Sequence, residues 1–211
     1  MHRQECEYWG FVTFRGSAAP RWDEFMGRWH EMMKGRLERL ILDGIKNTGL
    51  QETDEGAKAR FQDLYAAAVA GGIMSRWQLI VRDHADMNGK GPQEVRDIFR
   101  VMLKLDEEED ESLPNRVPLG VDPGLCLMVG EGVVSSLLDE REGRRPYIIG
   151  VLSDIDEADI PDEAEAVHVH FKIALGSVVD LWCQIQVQNV YDLVPPEGTI
   201  YISPGVFEDD P

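Results

Sequence analysis

From residue 22 onward the apolar side chains Trp22, Phe25, Met26, Trp29, Met32, Met33, Leu37, Leu40 and Ile41 recur three and four positions apart, with Glu, Arg and Lys between them. That period predicts a long amphipathic helix. Just upstream, residues 8–14 (YWGFVTF) are aromatic and β-branched and end at RGSAAP, which predicts a buried strand followed by a turn. A second helix is expected at about 54–70, where Ala57, Phe61, Leu64, Tyr65, Ala68 and Val69 share a face and Gly71 and Gly72 stop it. Residues 76–82 (RWQLIVR) read as a second strand. A polar loop over 83–91 leads to Pro92 as the first residue of a third helix, striped by Val95, Ile98, Phe99, Met102 and Leu103.

Six consecutive acids at 106–111, with Pro114 and Pro118 beyond them, mark an exposed acidic loop or linker. The expected division is therefore 1–104, an acidic 105–118, and 119–211, the two halves forming one continuous domain. Beyond the acids the elements are shorter: strands near 125–129, 147–152, 167–173 and 199–203, and helices near 133–138 and 177–187. The irregular interleaving predicts an α+β fold, a mixed or antiparallel sheet with helices packed on one face. A ferredoxin-like core is the preferred architecture.

The chain's 211 residues carry 21 Lys and Arg against 39 Asp and Glu, a net charge of −18. A surface of that sign repels phosphate, which argues against a general binder of nucleic acid or anionic membrane. The excess is lopsided, however. Residues 1–104 hold sixteen bases and fifteen acids, and residues 105–211 hold five and twenty-four. The exclusion therefore applies to the second half only. Three scattered cysteines, Cys6, Cys126 and Cys183, suit reduced thiols better than a disulfide framework. The first twenty residues have no apolar leader, and the longest uncharged stretch, 64–75, is too short to span a bilayer. These features predict a cytoplasmic protein with no membrane partner.

Few motifs carry chemistry. Residues 7–14 approximate the RNA-stacking strand of an RRM, but Glu7 stands where a base is needed and Tyr8 where glycine is. His84, Asp86, Asn88 and Gly89 resemble part of a calcium loop whose twelfth position would be Val95, not a carboxylate. His168 and His170 share a strand face with Lys172, a spacing that could ligate a metal only if a third ligand converged. No dinucleotide, Walker, nucleophile-elbow or zincin motif is present. No metal and no cofactor is expected. The catalytic candidates are Arg15 and Ser17 at the end of the first strand and Arg82, Asp83 and Asp86 at the end of the second, because ligands meet acid and base groups where strands run into helices.

The opening WGFVTFR at 9–15, the helix containing Trp22 to Met26 (WDEFM), and the later LIVRD at 79–83 with EVRDIF at 94–99 resemble a group of filamentous-fungal proteins that begin W-G-F-V-x-Y-R. Phe14 replaces the group's usual tyrosine, and the similarity covers about half the chain. The resemblance implies a fungal, intracellular protein of specialised metabolism. By looser analogy it implies kinship with arginine-containing cyclodipeptide synthases, which draw on aminoacyl-tRNA. The corresponding expectation is a small biosynthetic enzyme that meets aminoacyl-tRNA through an N-terminal face bearing Arg15, Arg21, Arg28, Lys34, Arg36 and Arg39. The alternative is a non-catalytic acidic module that docks a basic protein partner.

Overall fold

A computed structural model describes residues 9–16, 21–46, 76–83, 89–107, 121–139, 145–153 and 169–203. The helix expected at 54–70 lies outside them. The aromatic and β-branched run forms β1 (Trp9–Arg15), whose five middle residues are buried. Burial on both faces is what a continuous apolar strand requires. The three-and-four stripe forms α1 (Trp22–Lys46), with Asp23 and Glu24 in its first turn, where they complement the helix dipole. β2 (Trp77–Asp83) follows. Then comes α2 (Pro92–Glu107), with proline at its first position, where no amide hydrogen is needed. α2 keeps Asp106 and Glu107, so the acidic run expected to be loop begins inside a helix.

The second half supplies β3 (Leu125–Val129), α3 (Glu131–Leu138), β4 (Tyr147–Leu152) and β5 (His170–Ala174). A 3-10 turn (Leu175–Ser177) leads into α4 (Val178–Ile185), a second such turn (Val190–Leu193) follows, and β6 (Ile200–Tyr201) ends the sheet. β5 begins three residues later than its pattern predicts, and β6 is only two residues long, where five were expected. Both lie toward one side of the sheet, where few partners fix a strand's ends.

The six strands among the described residues form one mixed sheet in the order β2-β1-β3-β4-β5-β6. β1 runs parallel to both β2 and β3, β4 is antiparallel to β3 and β5, and β6 is parallel to β5. The α+β expectation with a mixed sheet holds. The preferred ferredoxin-like core, built as β-α-β-β-α-β, is not what the strands form. Here β1 sits between two parallel neighbours, and hydrophobic pattern alone does not choose neighbours.

The helices also occupy both faces, not one. On the first face Phe11, Leu125, Leu127 and Ile148 pack with Phe25, Trp29 and Met33 of α1, Val133 of α3 and Val178 of α4. On the second, Val12, Phe14, Cys126 and Val151 pack with Val95 and Phe99 of α2, and the Phe14 and Phe99 rings meet edge to face at 6.0 Å. The handedness of crossovers explains the division. From β1 the chain crosses to β2 on one side, then returns across β1 to β3 on the other. Two right-handed crossovers in opposite directions must lie on opposite faces.

Arg36 falls on the apolar stripe of α1, three residues after Met33, and is 5 % exposed. Its guanidinium makes a two-pronged pair with the buried Asp180 of α4, Nε reaching Oδ2 at 2.7 Å and Nη2 reaching Oδ1. The pair joins α1 to α4 beneath the sheet. Among the described residues no helix is long and apolar enough to cross a membrane.

Candidate functional site

The carboxyl ends of β1, β2 and β3 lie side by side. Arg15 is opposite Asp83 of β2 and Val129 of β3 in register. The next residue, Gly16, is buried, donates its amide hydrogen to the Val129 carbonyl at 2.8 Å, and accepts at its own carbonyl from the Gly89 amide at 3.3 Å. The segments leaving all three parallel strands are thus joined at one glycine. The chain leaves β1 toward β2 and leaves β3 toward β4, so the strand order reverses between β1 and β3. In open α/β sheets ligands settle outside the carboxyl ends of strands at such a reversal.

Arg15 projects from this edge with its guanidinium carbon 4.8 Å above the centre of the Trp22 ring, at the start of α1. Stacking on an indole helps to hold the guanidinium in place. Nearby on the chain, Arg21 reaches Glu24 at 3.0 Å and Asp139, just past α3, at 2.6 Å. Hydrogen bonding to Arg21 holds the Glu24 carboxyl below its ordinary range, and the same contacts raise Arg21 further. α3 starts directly from β3, and Gly130 accepts the first helical hydrogen bonds from Val133 and Val134. The amides at the start of α3 therefore face the same edge as Arg15.

Of the residues the sequence singled out, Arg15 and Asp83 are brought into adjacent register positions at the ends of β1 and β2. Arg82 is not part of that pair. It is level with Phe14, and alternation along the strand places it on the α2 face. Its side chain is half-buried, and its buried Nε has no hydrogen-bond partner. Ser17 and Asp86 lie outside the described residues, as does His168. Among the described residues no group of three or more His, Cys, Asp or Glu is placed to hold a metal.

The N-terminal face of six cations is corrected by the structure. Arg36 is turned inward onto Asp180, because its position on the apolar stripe points it at the core. Arg21 is bound to Glu24 and Asp139, and Arg28 lies 4.0 Å from Glu24. Sequence reasoning missed Gly16 and Gly130, which shape the edge together with Gly89. The signal was available as glycines directly after strands, but only the parallel pairing gives it meaning. Comparisons with protein-family models, curated proteins and solved structures return no match for this chain.

Proposed function

We propose that the chain is a small cytoplasmic biosynthetic enzyme whose substrate binds outside the carboxyl ends of β1, β2 and β3 and presents an anionic group to Arg15. The observation that carries this reading is the meeting of three parallel-strand exits at Gly16, where the strand order reverses. An arginine held over an indole at that edge supplies a fixed cation.

The specific reaction drawn from the fungal resemblance is cyclodipeptide formation from two aminoacyl-tRNAs. The amine of one aminoacyl group attacks the ester carbonyl of the other, and the tRNA 3′ oxygen departs with a proton. The second amine then attacks the remaining ester, closing the ring and releasing the second tRNA. Neither step needs an oxidant or reductant. A phosphodiester near the tRNA 3′ end would give Arg15 its anion, and Lys34 and Arg39, exposed on α1, would meet the tRNA backbone.

Incubating the purified chain with aminoacyl-tRNA and assaying for a diketopiperazine by mass spectrometry tests this directly. A protein-dependent product, reduced about tenfold or more in Arg15→Met by loss of a charged contact, is the expected result. No product from the folded wild-type chain overturns it.

A second reading rests on the charge asymmetry, twenty-four acids against five bases in residues 105–211. In that reading the second half docks a basic protein. Capture of such a partner should then weaken steeply between low and physiological salt. Salt-independent capture counts against it.

A further inference from the structure

Away from the strand-exit edge, the second face of the sheet is covered by α2 over β1 and β3, whereas among the described residues no helix packs on it over β5, where His170 and Lys172 are exposed. Against this bare strip the turn between the last 3-10 segment and β6 raises a wall. The cleft between them encloses about 270 Å³ and is lined by Ile149, His170, Lys172, Pro195, Pro196 and Glu197, among others. That size is at the low end for small-molecule sites.

The wall is built stiffly. Two prolines begin it, Gly198 takes a positive φ of 77° to turn the chain, and Thr199 donates both its amide (3.1 Å) and its hydroxyl (2.6 Å) to the Pro196 carbonyl. Parallel pairing of Lys172 with Ile200 then fixes the turn against β5. A wall fixed in advance loses little entropy on binding.

The cleft's ammonium is unusual for this part of the chain. Residues 146–211 contain thirteen acids and a single Lys or Arg, Lys172. That ammonium stands 4.6 Å from the centre of the Tyr147 ring, which anchors it beside the cleft. With the His170 imidazole next to it on the same face and the Glu197 carboxylate also in the lining, the cleft sets the Lys172 ammonium at one side and the apolar surfaces of Ile149, Pro195 and Pro196 at the other.

We propose that this cleft binds a small carboxylate with a flat apolar body, its carboxylate on Lys172 and its body between Ile149 and the two prolines. The site is independent of the strand-exit reading, since it shares no residue with it.

Phenylacetate is a suitable probe, with phenylacetamide as its uncharged twin, followed by amide and side-chain NMR shifts on the full chain. Phenylacetate should move the signals of Lys172, Gly198 and Thr199 and bind about tenfold or more tightly than phenylacetamide. Lys172→Met should remove that preference, and Lys172→Arg should keep most of it. The Lys172 side chain is exposed, so both variants should fold, and the unchanged remainder of the NMR spectrum verifies it. Equal binding of amide and acid, undiminished binding to folded Lys172→Met, or shifts confined to other residues overturns the proposal.

Discussion

At the scale of single residues, the buried Arg36 and Asp180 pair makes the sharpest prediction. Removing one partner strands a charge in the interior, so Arg36→Met should cost about 3–5 kcal/mol in urea denaturation. The double variant Arg36→Met with Asp180→Leu should recover most of the loss, because an apolar pair needs no compensation. A single variant as mild as the double would show that the charges are not sealed in. Beside this pair, burial and then the Asp180 charge push the Tyr201 hydroxyl up to about 12 from 10, and it donates to Gln184 at 2.8 Å. A folded state that holds this proton more tightly than the unfolded chain contributes stability that is whole below pH 10. That contribution is lost as pH rises toward 12. Tyr201→Phe should therefore flatten the fall in stability between pH 10 and 12, measured by denaturation at fixed pH. Cys126 is fully buried and its thiol is pushed strongly upward by that burial. It should resist alkylation at pH 8 until the chain unfolds.

At the scale of elements, β1 depends on a glycine. Gly10 has a φ of 144°, and a Cβ there would lie 2.0 Å from the Gln78 carbonyl oxygen of β2. Gly10→Ala should cost more than about 4 kcal/mol, since backbone and not a side chain blocks the space. At Gly150 of β4 the nearest obstacle is the Ile173 methyl at 2.6 Å, the end of a side chain. Gly150→Ala should cost about 1–3 kcal/mol. Thermal denaturation of the two variants separates these cases, and equal losses would contradict the argument. The elements themselves were largely legible. α1, β3 and β4 stand where periodicity put them, because each is long enough or buried enough for its own pattern to decide. The extension of α2 through Asp106 and Glu107 was not legible, because charge runs are read as loops although glutamate propagates a helix well.

At the scale of the whole molecule, the −18 charge opposes compaction. Adding salt from about 10 to 150 mM shortens the screening length roughly fourfold, so the melting temperature should rise over that range. A fall would mean that attractive pairs such as Arg21 with Asp139 outweigh the repulsion. The sequence by itself determined the types of the described elements, the α+β class and the chain's lopsided charge, since periodicity, propensity and composition are local quantities. It also located Arg15 and Asp83 at strand ends. Only the tertiary structure decided that β1 lies between two parallel strands, that the helices divide between both faces, and that three exits converge on Gly16. It likewise turned Arg36 inward and set Lys172 beside a proline wall. Those outcomes depend on which strand pairs with which and on the handedness of the crossovers, properties of the folded chain that no stretch of residues carries alone.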